Sequence, residues 1–187
     1  MWCNGIAKFF SKDLLAINKL LNADHTALIQ ILNSKVIGVA FDANATSTFE
    51  GSAALDLTVR LIARLYPRIA IIDLSLKYQS KQFELVTLAR SINSNIEIVG
   101  DINSIDILLV TGEPNSKLAL RAKQLYIGSN GWTAKFSSQE SLSFGNSNNP
   151  IGAGLAACIA TSNVFRFVFA SLLPDKNLDN DVSFSPI

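Results

Sequence analysis

Residues 148–165, NNPIGAGLAACIATSNVF, place Gly152, Gly154 and Ala157 in a G-x-G-x-x-A spacing. That spacing lets backbone approach a dinucleotide pyrophosphate at a helix N-terminus. Such a site needs a strand ending directly before the glycines, and an acid about 20 positions on at the end of the next strand. Here the nearest upstream strand candidate, SLSF, ends at Phe144 and the polar GNSNNPI follows it. Asp175 has the spacing but lies in LLPDKN, after a helix. Gly152, Ala153, Gly154, Ala156, Ala157 and Ala160 therefore read as a helix start pressed closely against a sheet.

A second constellation has the right context and fewer glycines. KVIGVAF (35–41) and RIAIIDL (68–74) read as strands flanking the helical AALDLTVRLIARLY (53–66). The loop between, opening at Asp42 and closing at Gly51 and Ser52, offers Ser, Thr and Asn groups for an anion at the helix start. Asp73 ends the second strand about 22 residues after Gly51, where an acid would hold a ribose. The plain alternative is an ordinary strand-to-helix loop, with Asp73 a strand-end residue. In VTGEP (110–114), Thr111, Gly112 and Glu113 end another strand at the ligand-bearing edge of an α/β sheet. Glu113 is either a magnesium or base residue or a solvated loop acid.

Other reactive side chains are sparse. One histidine and two distant cysteines, Cys3 and Cys158, make neither a zinc site nor a disulfide framework. His25 reads as a solvated or capping residue. Arg60 and Arg64 share a helix face, and either reach a phosphate or pair with Asp56 at i,i+4. Asp101 and Asp106 bracket a turn and read as solvated, whereas Trp132 and Phe136 read as core.

The elements that position these residues follow from hydrophobic period. Helical spacing marks residues 11–21 and 26–32. After the strand-helix-strand unit come a helix at KQFELVTLARSIN, strands at NIEIVG and DILLVTG, a short helix at NSKLALRAK and a strand at QLYIG. NGWTAKFS with SLSF reads as a hairpin or paired antiparallel strands, and a helix runs from near Gly152 to about residue 173. DNDVSFSPI starts like another strand. The alternation predicts an α/β fold: a Rossmann-like, mostly parallel sheet covered on both faces, with helices at 1–34 and the main domain at 35–187.

The 187 residues, 49% hydrophobic and 17% charged with net charge +1, suit a globular chain with scattered Lys and Arg. No basic patch suggests nucleic acid. No run of 18 to 20 uninterrupted apolar residues suggests a membrane span. A cytosolic protein is expected.

The order of elements, LARSINSNIEI (88–98) and the small-residue segment NPIGAGLAACIATSNVFRFVF resemble the ThiF-like adenylyltransferases of ubiquitin-activating enzymes, in their divergent bacterial branch. The resemblance covers about 11–174. It implies binding of ATP with magnesium, adenylation of the C-terminus of a ubiquitin-like or sulfur-carrier protein, and a homodimer. By that resemblance Asp73 holds the ribose, Asp42, Gly51 and Ser52 line the nucleotide loop, Lys77 or Lys81 acts on phosphates, and Glu113 serves magnesium. A non-catalytic scaffold or dimerisation module and, further off, an NAD(P)-dependent oxidoreductase are the alternatives. The chain also reads as a fragment of a longer protein.

Overall fold

The computed structural model describes residues 24–114 and 121–187. The expected helix at 11–21, Cys3 and most of NSKLALRAK lie outside them. The first described element, α1 (His25–Ser34), leads into β1 (Ile37–Phe41), five residues that are all buried. A short α2 (Ala43–Ser47) and the long α3 (Phe49–Leu65) follow, then β2 (Arg68–Asp73), α4 (Gln79–Ile92) and the two-residue β3 (Glu97–Ile98). A 3₁₀ turn (Ile102–Ser104) returns the chain to β4 (Ile107–Thr111). β5 (Lys123–Asn130) and β6 (Thr133–Ser137) form a hairpin, α5 spans Ile151–Val168, and β7 (Val182–Phe184) closes the fold.

The seven strands among the described residues form one mixed sheet in the order β3-β2-β1-β4-β5-β6-β7. Pairs from β3 to β5 are parallel and β5-β6-β7 are antiparallel. The α/β class and its largely parallel centre thus match expectation. Alternate residues of the central strands point to opposite faces. One face, with Val39, Phe41, Ile69, Ile107, Leu109 and Leu125, packs against residues of α1, α3, α4 and α5.

The other face, with Ala40, Ala70, Leu108, Val110 and Tyr126, forms a second cluster to which no described helix contributes. Helices were expected on both faces. The helix expected at NSKLALRAK, between β4 and β5, lies mostly outside the described residues, and between β3 and β4 the chain makes only the 3₁₀ turn and Ile105. Gly38 lets them close in, because a Cβ there would stand 2.5 Å from Leu108 Cδ1 and 3.1 Å from Ile105 Cγ2.

Several local expectations are corrected. DANATSTFEGS is not a loop: it holds α2 and the first turn of α3, because Asp42 and Thr48 each cap a helix, accepting from Ala45 N–H and Gly51 N–H. SLSF makes only isolated bridges, to Gly112 and Ser129, beyond the paired parts of β4 and β5. α5 ends at Val168. Trp132 is 43% exposed, since it sits with Gly131 (φ +60) in the turn between β5 and β6, while Phe136 is buried as expected.

α5 is long and apolar enough to cross a membrane by length and composition. In the fold it is a core helix. Ala153, Ala156, Ala160 and Val164 are buried, and Asn163 and Arg166 bind Asp179 of the returning C-terminal segment at 2.9 and 2.8 Å.

Candidate functional site

In an open parallel sheet, ligands collect outside the C-terminal strand ends, where the strand order reverses on either side of one strand. Here that strand is β1, flanked by β2 and β4. Its end carries Asp42, the end of β2 carries Asp73, and Gly112 and Glu113 follow β4. The fold therefore gathers Asp42, Asp73 and Glu113 along one crest, with Gly51 and Ser52 at the start of α3 beside it.

The crest is closed by the chain's own hydrogen bonds. Asp42 is buried, and its carboxylate accepts from Ala45 N–H at 3.1 Å and from Glu113 N–H at 2.9 Å. Thr111 Oγ1 donates to Ala40 C=O at 2.8 Å, tying β4 to β1 below that point. Gly112 has φ +105, and a Cβ on it would overlap the Asp42 carboxylate. Only glycine satisfies both conditions. Asn44 Oδ1 accepts from Phe144 N–H at 2.9 Å, drawing the 142–145 segment over the same crest.

The residues expected to meet phosphate are committed elsewhere. Gly51 N–H donates to Thr48 Oγ1 at 3.0 Å, and Ser52 Oγ donates to Thr46 C=O at 3.4 Å. A Cβ at Gly51 would lie 2.7 Å from Ala45 Cα and from Ala45 O, so this glycine serves the close approach of α2 to α3. Asp73 accepts from Ser75 N–H at 3.0 Å, from Ser75 Oγ at 2.7 Å and from Tyr78 N–H. Burial alone would raise its pKa; the hydrogen bonds from Ser75, Tyr78 and Leu76 outweigh that and hold it below the usual aspartate value. The Asp73 carboxylate is thus turned into its own loop. Glu113 stands at the crest, and among the described residues no three His, Cys, Asp or Glu side chains converge on one point. Asp106, read as solvated, instead binds Lys35 Nζ and Val36 N–H, each at 2.9 Å. Of the two readings of Arg60, the pair with Asp56 forms, at 2.6 Å.

Glu50 is the group that sequence reasoning missed. It is buried in the first turn of α3, and among the described residues no cation pairs with it. Its carboxylate accepts from Ser129 Oγ, from Gly131 N–H at 3.0 and 3.1 Å, and from Ser147 N–H at 3.0 Å. Burial raises its pKa, but the bonds from Ser129, Ser147 and Gly131 prevail and lower it overall. The helix N-terminus favours the same charge. A signal existed in the sequence: Glu50, Ala54, Thr58 and Ile62 recur at i, i+4, i+8 and i+12, and all four are buried.

The G-x-G-x-x-A segment has a packing role. Gly152 N–H donates to Gly131 C=O at 3.1 Å, and a Cβ there would lie 2.5 Å from that oxygen and 2.7 Å from Thr133 O. Gly154 meets only Leu57 Cδ2, at 3.6 Å. One glycine is required by the sheet, and the other is free to be larger.

The sequence profile of prokaryotic E2 family C matches residues 40–170. The chain belongs to that family. An uncharacterized protein of Sinorhizobium fredii (strain NBRC 101917 / NGR234), y4jF, is 39% identical over 181 residues, which are 96% of this chain and 34% of that protein. The chain therefore spans about a third of the length of this relative.

Membership in prokaryotic E2 family C corrects the adenylyltransferase reading, and with it the assignment to the ubiquitin-activating group. The features that suggested it have a simpler cause. The strand-helix-strand order belongs to α/β sheets in general, and the small-residue helix is explained by Gly152 against the β5–β6 turn. A cysteine that serves as a nucleophile is activated by an adjacent base or a lowered pKa. Cys158, the cysteine among the described residues of this E2 family C chain, is exposed in the middle of α5, and no described acid, base or cation bonds its thiol.

Proposed function

We propose that this prokaryotic E2 family C chain is a Rossmann-like domain that binds a ubiquitin-like protein without carrying it as a thioester on Cys158. The closed crest supports this reading most directly. Asp42, Asn44, Thr48 and Glu50 spend their polar atoms on Ala45, Glu113, Phe144, Gly51, Gly131 and Ser147. A small ligand would have to break several of these bonds to enter. What remains for function is outer surface, which suits a protein partner. A nucleophilic cysteine needs an activating neighbour, and among the described residues no base bonds this exposed helical thiol.

The test titrates the purified chain with a panel of bacterial ubiquitin-like proteins, free and charged on their activating enzyme. Saturable binding, unchanged by Cys158→Ser and without a thiol-sensitive adduct, is expected. A dithiothreitol-sensitive adduct lost in Cys158→Ser would overturn the non-covalent reading. No binding across the panel would overturn the partner class.

A further inference from the structure

The edge of the sheet beside β2 is incomplete. β3 pairs with β2 only at Arg68↔Glu97 and Ile69↔Ile98, and the last rung is Val99 N–H to Ile69 C=O at 2.8 Å. β2 continues to Asp73 while the chain turns away at Gly100. The carbonyl of Ile71, next in line for a strand partner, accepts from the side-chain Nε2 of Gln82 at 2.6 Å. A groove of about 510 Å³ follows this unpaired stretch, between Phe83 and Val86 of α4 and Ile98 and Ile102 opposite.

The groove is rimmed by apolar groups facing solvent. Leu76 is 80% exposed, Phe83 70% and Ile102 46%, three of the eight large apolar side chains that stand exposed among the described residues. Clustering of this kind marks interaction surfaces. Leu76 also holds φ +57, a left-handed backbone that disfavours leucine. The Asp73 carboxylate fixes that turn through Ser75 and Tyr78, so the fold stabilises a strained conformation that sets a leucine out in water.

Charge specifies the ligand further. Gln79, Phe83, Val86 and Arg90 recur at i, i+4, i+7 and i+11 along the groove side of α4, while Leu85 and Ala89 are buried on its other side. Arg90 lines the groove and has no hydrogen bond or ion pair among the described residues. Asp73, the one carboxylate among the groove's described lining residues, is buried and engaged in its own turn. An unpaired strand edge asks for backbone, and an apolar trough with one free cation asks for apolar groups with an acid. A peptide supplies all three.

We propose that this groove binds an extended peptide segment of a partner protein by strand addition to β2 at residues 71–73. Three residues span roughly 10 Å of edge at about 3.3 Å each. A peptide N–H takes the Ile71 carbonyl from Gln82, alternate apolar side chains cover Leu76, Phe83 and Ile102, and an acidic residue pairs with Arg90. The inference does not depend on the partner being ubiquitin-like.

The experiment selects a phage-displayed library of random nine-residue peptides on the full chain. Peptides with alternating apolar residues and an Asp or Glu are expected. Their synthetic versions should bind with an affinity at least tenfold weaker for Phe83→Ser and about fivefold weaker for Arg90→Glu. Replacing the peptide's acid with lysine should restore binding to Arg90→Glu. Both replaced side chains, Phe83 and Arg90, face solvent, and circular dichroism checks that the variants keep their fold. Failure to enrich peptides, enrichment without an acid, or binding indifferent to both variants overturns the proposal. So does a concentration-dependent dimer that Phe83→Ser dissolves, because a second copy would then occupy the groove.

Discussion

The Asp42 carboxylate at the end of β1 accepts a hydrogen bond at 2.9 Å from the backbone N–H of Glu113, 71 residues later at the end of β4. This bond closes the place where sheets of this kind usually open to a ligand, and Gly112 makes it possible. Its backbone lies at φ +105, and a side chain there would meet the carboxylate. Gly112→Ala is expected to destabilise the protein by about 2–3 kcal/mol, from strained backbone plus a displaced buried carboxylate. Chemical denaturation of the two proteins measures the difference.

The two glycines of GAGLA should respond in opposite directions. Gly152→Ala drives a methyl against Gly131 O and Thr133 O, and overpacking of this kind costs about 1–3 kcal/mol. Gly154→Ala meets only Leu57 at contact distance, so the gain in helix propensity applies, up to about 1 kcal/mol. A nucleotide-binding role would make both changes harmful to ligand binding. A packing role makes one harmful and the other mildly stabilising, as thermal melts of the pair would reveal.

Glu50 makes stability depend on pH in a defined direction. Its native pKa lies below the ordinary glutamate value of 4.5. Its contribution is therefore complete above about pH 4.5 and is lost as the pH falls through the lower native value. Glu50→Gln removes the charge and turns an amide toward Gly131 and Ser147 donors, which should cost about 2–3 kcal/mol at pH 7. The variant and the parent should converge in stability as the solution is acidified. A difference that stays constant from pH 7 to pH 3 would rule out the ionised carboxylate as the cause.

Magnesium-ATP at millimolar concentration is expected to leave the melting temperature unchanged, because Thr48 already occupies the Gly51 N–H and Asp73 is held by Ser75 and Tyr78. A saturable rise would require those bonds to open. Asp73→Asn would then separate ribose contact from mere loop support: the first loses the shift, and the second lowers the melting temperature with or without nucleotide.

The central strands were legible because their residues are apolar without interruption and Pro67 stops the helix before β2. Asp42, Asp73 and Glu113 could be placed at one crest from that alternation alone. What their side chains do there was not legible, since it depends on bonds between residues far apart in the chain. The caps at Asp42 and Thr48 were readable in principle, as Asp and Thr each stand before a helical start, yet the Ser, Thr and Asn content of 42–52 imitates a loop. The family resemblance failed because it rested on element order and a small-residue helix, both of which packing demands in unrelated α/β chains. The groove beside β2 was hidden too, because the early end of β3 cannot be read from NIEIVG.

The partners of Glu50 stand 79, 81 and 97 residues further along the chain. A contact spanning that much sequence closes only after β1 and β4 have joined the hairpin to the first half of the sheet, since long loops are entropically costly to shut early. The carboxylate is therefore expected to engage late in assembly. Its removal should leave the folding rate nearly unchanged and fall almost wholly on the rate of unfolding. Folding and unfolding rates of Glu50→Gln against the parent measure this, and a single acid is expected to set how long the finished structure lasts more than how quickly it forms.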